Sequence, residues 1–221
     1  MLNVVPEPAA TVIATAAFTG ARRGEIRGMY WENYREEEIF IGRSVWQKHI
    51  TPPKSTKSKA PIPIISRLAQ RLEFHRVRLG NPETGPMFPN ASGGPMDLNS
   101  LLRRSILPVF KRCAVCGIGE REHESDTHDF ERDKSLPVWR GWHGFRRGLA
   151  TNLHRLGVPE KTIQAILRHA NVSTTQTCCI KTAPEDARAA MNKLESLLDS
   201  NQPVKTAIPE ASTPNLPVTI H

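Results

Sequence analysis

The chain has 221 residues, of which 38% are hydrophobic, with a formal net charge of +8 and a pI near 9.6. That length and composition allow one good-sized domain with an ordinary core, and the lack of any run of about twenty apolar residues argues against a helical membrane span. The basic balance suggests a polyanionic partner, because lysines and arginines that neutralise phosphates release condensed counterions; a protein can also be basic without such a partner.

Met1 to Pro8 lacks a basic segment followed by an apolar one, so no secretory signal is expected and the cytoplasm is the default location. The cysteines fall in two tight pairs, Cys113 with Cys116 and Cys178 with Cys179. Such spacing in a chain without a signal points to reduced thiols or metal ligands, not to a disulfide framework.

In chain order, Ala9 to Phe18 has helix-forming composition and ends at Thr19-Gly20, and a second helix is predicted from Arg22 to about Tyr30. Strand character follows in 38–41, 44–50 and 60–65. Between the last two lies the polar turn 51–59, which carries Lys54, Lys57 and Lys59. Together these predict a small sheet with a basic hairpin at its edge. Helical periodicity returns in 66–79, with Leu68, Leu72 and Leu79 on the apolar face, and again in 98–111, where Pro108 kinks the helix or opens its last turn. Residues 81–95 are rich in glycine and proline and read as loop.

From Arg112 to Pro137 the composition turns polar and acidic, as in an insertion. Helices are predicted at 142–156, stopped by Gly157, at 159–169, and at 184–198 with Ala187, Met191, Leu194 and Leu198 on one face. Residues 201–221, with four prolines and few charges, read as a disordered tail. The domain boundaries are therefore 1–200, with 112–137 as an insertion, and 201–221.

Three separated stretches supply groups that bind or protonate phosphate. Thr19-Gly20-Ala21-Arg22-Arg23-Gly24-Glu25 hands a glycine turn into a helix bearing paired arginines, which puts guanidinium donors beside a helix N-terminus. Lys54 sits on a turn that can reach a DNA groove. His143 and Arg146 are three apart and share a helix face, and His169 ends the following helix. Each alone also fits an ordinary charged surface or a structural histidine.

Taken as an ordered set, Arg-x-x-Glu, a lysine hairpin, His-x-x-Arg and a His followed by Ser173-Thr174-Thr175-Gln176 resemble the tyrosine recombinases, the phage-integrase family. The flanking run from Gly157 to His169 strengthens the likeness, which covers about 9–198. The resemblance implies a mainly α fold with a small antiparallel β-sheet, the tyrosine-recombinase catalytic domain. It implies double-stranded DNA as substrate, recombination by phosphodiester transesterification, integration of a mobile element, and a homotetramer on DNA docked through helix 184–198. Arg22 and Arg146 would hold the scissile phosphate, and Lys54 would protonate the leaving 5′ oxygen. His143 would assist proton transfer, His169 would hydrogen-bond the phosphate, and Glu25 would buttress the site. No cofactor is required for that chemistry.

The family nucleophile is a tyrosine nine or ten residues after the second histidine. Cys178 and Cys179 hold those places, and the chain's only tyrosines, Tyr30 and Tyr34, lie far upstream. Ile180-Lys181-Thr182 suits the segment after the family tyrosine, so Cys179 marks the replaced position. A thiol there is too short to reach a phosphorus placed for a tyrosine oxygen. Thiolate is also the better leaving group, so an impaired recombinase is expected. The alternative is a non-catalytic DNA-binding remnant of an integrase. Family members commonly carry a DNA-binding domain ahead of the catalytic one, and the short stretch before the first helix suggests a fragment or a decayed element. Cys113, Cys116, His123 and His128 have the types and number of ligands for a structural zinc, which would make the insertion a metal-pinned module.

Overall fold

A computed structural model describes residues 2–47, 49–51, 61–124 and 126–169. Its centre is α1 (Ala9–Thr19), in which every residue from Ala9 to Ala16 is buried. A helix can be buried all round only if its neighbours come close and its polar groups are satisfied. The alanines permit the first. For the second, Thr15 Oγ1 donates to the Thr11 carbonyl at 2.9 Å and Thr19 Oγ1 to the Thr15 carbonyl at 2.5 Å. Gly20 ends α1 in the left-handed region at φ 60°, its N–H returning to the Ala16 carbonyl at 3.1 Å.

α2 (Arg23–Arg27) is shorter than the predicted 22–30 helix. Gly28 closes it where the chain passes against the backbone of Arg43: a Cβ there would stand 2.3 Å from the Arg43 carbonyl oxygen. The strands that follow are short. β1 (Tyr34–Arg35), β2 (Glu38–Ile39) and β5 (Ile62–Pro63) form an antiparallel sheet in the order β1-β2-β5, while β3 (Ser44–Trp46) and β4 (His49–Thr51) form a separate hairpin.

The single strand predicted over 44–50 is thus two strands. The chain reverses after Gln47, held at φ 51°, and Trp46 pairs with His49. No glycine, proline or asparagine marks this reversal, so nothing in the sequence signals a turn there. Arg27 secures the hairpin, donating from Nη1 to the Val45 carbonyl at 3.2 Å, from Nη2 to Gln47 at 2.9 Å and from Nε to Met96 at 2.9 Å.

α3 (Ser66–Arg78) buries Leu68 and Leu72 as expected, but Leu79 is exposed and His75 takes the next inward place. Its Nε2 lies 2.8 Å from the Met87 carbonyl and its ring stacks on Phe88. The predicted 98–111 helix is α4 (Leu98–Leu101), a widened π turn (Leu102–Ile106) and α5 (Leu107–Phe110). Pro108 lacks an N–H and crowds the carbonyl four residues earlier, and the wide turn falls there.

Residues 112–137 form no helix or strand, only isolated bridges at Arg112–Gly119 and Cys113–Arg132. α6 (Trp142–Arg155) and α7 (Glu160–Leu167) complete the described fold. α6 packs on α1, and Ala150, Ile163 and Leu167 join α6 to α7 in a second small core. The fold is mainly helical with small antiparallel sheets, as predicted. No described helix is long and apolar enough to cross a membrane. Lys54, Cys178, Cys179, the 184–198 helix and the 201–221 tail lie outside the described residues.

Leu72 is fully buried in the main core, between α3 and α1. Leu72→Ala should therefore lower the free energy of unfolding by about 2–5 kcal/mol, read by equilibrium urea denaturation.

Candidate functional site

The site forms where the end of α1, the start of α6 and the end of α7 meet. The small core of Ala150, Ile163 and Leu167 sets the distance between the last two. Arg146, one turn into α6, is buried and points into this junction. It donates from Nη1 to the Gly20 carbonyl at 2.7 Å, from Nη2 to the Leu167 carbonyl, and from Nε to His169 Nε2 at 3.0 Å. One guanidinium thereby ties three elements together, and two of the predicted site residues are in direct contact.

A guanidinium can only donate, so His169 Nε2 accepts and the neutral ring carries its proton on Nδ1. Burial, reinforced by Arg146, Arg22 and Arg168, pushes the His169 pKa down to about 4 against the opposing pull of Glu25. The ring is therefore neutral near pH 7, as the contact with Arg146 requires.

Glu25 organises the other half. The Ala21 N–H reaches Thr19 Oγ1 at 3.1 Å, and Arg22 then caps α2. The Arg22 N–H donates to Glu25 Oε2 at 2.8 Å and its Nη1 to Oε1 at 2.7 Å. Arg168 Nη2 reaches Oε2 at 2.7 Å from the far side. Burial raises the Glu25 pKa, but Arg168, Arg22 and the Arg22 N–H outweigh it and hold the carboxyl below its ordinary value. Glu25 is thus held by Arg168 as well as by Arg22.

Arg168 carried no role in the sequence reading. Nothing in its immediate sequence signals burial, since it sits at φ 54° just past α7 and only the turn swings it inward. Its side chain is fully buried, and Nε and Nη1 have no hydrogen-bond partner among the described residues.

Arg22 keeps 39% of its side chain exposed and His143 is exposed at the start of α6, so these two face outward from the buried Arg146 and His169. His143 has its pKa lowered by partial burial and then by Arg146, Arg147, Arg22 and Arg23. Such convergence of cations about one carboxylate leaves the surface strongly positive, suited to a phosphate. A groove of about 920 Å³ continues from Arg23 past Arg27, Trp46, Asn99 and Arg104. At its edge the Arg23 guanidinium lies 5.1 Å from the centre of the exposed Trp46 ring and donates to Asn99 Oδ1 at 2.7 Å. Trp46 and Asn99 carry no role in the sequence reading; they reach Arg23 from the end of β3 and from α4.

The predicted metal ligands also converge. One ligand atom from each of Cys113, Cys116, His123 and His128 falls within 4.8 Å of the others. Burial raises the Cys113 thiol pKa, but hydrogen bonds from Cys116, Glu131, Val115 and His128 bring it down to about 5.

No protein-family model matches the chain. A curated relative from Caldanaerobacter subterraneus subsp. tengcongensis, described as tyrosine recombinase XerC-like, is 25% identical over 206 residues, covering 81% of this chain and 47% of its own length. The Tn1549 transposon integrase, solved in complex with circular intermediate DNA, superposes with a TM-score of 0.64 at 19% identity over 87% of this chain and 63% of its own. XerA recombinase superposes with a TM-score of 0.57 at 17% identity over 84% of this chain and 56% of its own. The chain spans about half the length of the curated relative.

Between pH 6.5 and about 4 an unfolded His169 binds a proton that the folded one refuses, so its contribution to stability is present above that window and lost as pH falls through it. The melting temperature of the native chain should drop across this window, and His169→Gln should flatten that part of the profile. Parallel profiles for the two proteins would contradict the assignment.

Proposed function

We propose that this chain, a catalytic domain of the tyrosine-recombinase family by sequence relationship and fold, grips duplex DNA at a scissile phosphate and performs, in impaired form, the phosphodiester transesterification of site-specific recombination. The observation that carries the reading is that Arg22, paired with the buried Glu25, and Arg146, bonded to His169, lie close enough to His143 for both arginines to lower its pKa, though the groups come from three stretches far apart in the chain. The Tn1549 integrase was solved on DNA, which supports the same class of partner here.

In this reading Arg22 and Arg146 hold the non-bridging oxygens and stabilise the charge that builds on them as phosphorus becomes five-coordinate. His169 orients Arg146 through Nε2 and turns its protonated Nδ1 edge to the phosphate. His143, whose lowered pKa keeps it neutral near pH 7, accepts the proton of the attacking group. The P–O bond to the 5′ oxygen breaks and Lys54 protonates that oxygen. The arginine-lined groove past Trp46 carries the flanking backbone, with contacts that position the duplex without reading its sequence. Assembly as a homotetramer through 184–198, and a cytoplasmic setting, belong to the same proposal.

Cys179 is the reason for calling the activity impaired. A cysteine side chain ends several ångströms short of where a tyrosine oxygen would stand, and such misplacement removes much of the benefit of a preorganised site. The same residue favours a second reading, a DNA-binding protein that has kept its phosphate grip and lost cleavage.

Two measurements test this. Fluorescence anisotropy with a short duplex should show binding that weakens steeply with salt, and Arg22→Ala should reduce the slope of log K against log salt by about one. Absence of salt-dependent binding would sink both readings. On a nicked suicide duplex bearing the ends of the DNA segment that encodes the chain, the native protein should form little covalent adduct and Cys179→Tyr should form one. An adduct with the native chain that Cys179→Ser abolishes would show a working cysteine nucleophile instead. No adduct with either protein would favour the non-catalytic reading.

A further inference from the structure

We infer that Cys113, Cys116, His123 and His128 bind a single zinc ion, in a structural site that closes the 112–137 segment just ahead of α6. In a tetrahedral site with Zn–S near 2.3 Å and Zn–N near 2.0–2.1 Å, neighbouring ligand atoms stand about 3.3–3.8 Å apart. Here Cys113 Sγ lies 3.2 Å from His128 Nε2, His123 Nε2 lies 3.0 Å from His128 Nε2, and all four ligand atoms fall within 4.8 Å of one another. The set therefore has the size of a coordination shell before any ion enters it.

The hydrogen bonding points the same way. His128 Nδ1 lies 2.9 Å from Thr127 Oγ1, which can accept the Nδ1 proton, and in that tautomer Nε2 presents a lone pair. That lone pair faces a cysteine sulfur and a second imidazole nitrogen at once. A shared cation satisfies all three groups together.

The backbone is built for the sulfur. The Val115 N–H points at Cys113 Sγ at 3.4 Å, the Gly117 N–H returns to the Cys113 carbonyl at 3.1 Å, and the Cys113 N–H reaches the Ile118 carbonyl at 2.7 Å. This tight loop needs Gly117 at φ 74°, where a side chain would be strained. The donor set selects the metal class: paired thiolates and imidazoles without a carboxylate suit zinc and not calcium or magnesium. Four protein ligands leave no open position, so the site is structural and not hydrolytic.

Its place in the fold gives it a task. Arg112 holds Asp133 with Nε at 3.0 Å and Nη2 at 2.9 Å. Arg132 donates to the carbonyls of Phe110, Leu136 and Pro137 at 3.1, 2.7 and 2.8 Å. These latches tie the base of the segment to the end of α5 and to Leu136, which enters the main core. Beyond their reach, the described residues of 114–130 have no regular secondary structure and no buried apolar side chain to hold them. A zinc joining Cys113 at the base to His123 and His128 at the tip supplies that restraint, and so steadies the short link that leads to His143 and Arg146.

The test uses the full chain, purified without added metal and freed of loose ions by gel filtration. Elemental analysis should find about one zinc per chain. Cobalt(II) exchanged into the chelator-stripped protein should give the intense visible bands of tetrahedral cobalt together with thiolate charge transfer. Because Cys113 is buried and its serine variant can lose folding along with metal, His123→Ala is the companion variant, with circular dichroism as the check on its fold. Both variants should fall below about a tenth of the native zinc content, while the double variant Cys178→Ser/Cys179→Ser should keep all of it. A metal-free native chain with no tetrahedral cobalt spectrum would overturn the inference. So would zinc retained by folded His123→Ala, or zinc lost from the Cys178/Cys179 variant alone.

Discussion

Arg146 is a full positive charge placed where water hardly reaches, and such a charge is costly unless every direction offers compensation. The Gly20 carbonyl closing α1, the Leu167 carbonyl closing α7 and the neutral ring of His169 provide it. Both carbonyls are available because a helix ends there: helix termini leave carbonyls without intrahelical partners. The need to satisfy the guanidinium and the need to satisfy the helix ends are met by the same contacts. This is why α1, α6 and α7 converge where they do.

Glu25 solves the complementary problem. A buried carboxylate alone would be as costly as the buried arginine, but here it is shared by Arg22, which faces out, and Arg168, which does not. It lets cations pack closely without fully repelling each other, while their sum stays positive. The depressed pKa of His169 is a consequence of that surplus together with burial. A ring kept neutral can accept from Arg146; a protonated one would push it away. The electrostatics of the site and the mechanical junction of the three helices are thus one arrangement, and the groove past Trp46 extends its positive surface.

Much of this was legible in the sequence. The ordered motifs located Arg22, Glu25, His143, Arg146 and His169, because each lies in a local signature of turn, helix start or helix end. Helix positions were equally readable: α1 from its alanine run, α6 and α7 from periodicity and from Gly157 and Pro159 at their boundary. Errors came where local pattern and tertiary context part company. The 44–50 stretch carries no glycine, proline or asparagine yet reverses at Gln47, and His75 rather than Leu79 enters the core because the Met87 carbonyl waits there. Arg168 had no role in the sequence reading, because only the turn past α7 buries it.

The sequence by itself determined the inventory: which side chains can donate to phosphate, and which four residues have the chemistry of metal ligands. Those are covalent facts, carried by residue type and spacing. Only the tertiary structure decided which groups are buried and what they touch. It turned Arg146 inward onto two helix ends, swung Arg168 onto Glu25, and brought Cys113 beside His128 from fifteen residues away. The physical reason is that burial and desolvation depend on the packing of segments distant in the chain, and no local window of sequence contains that information.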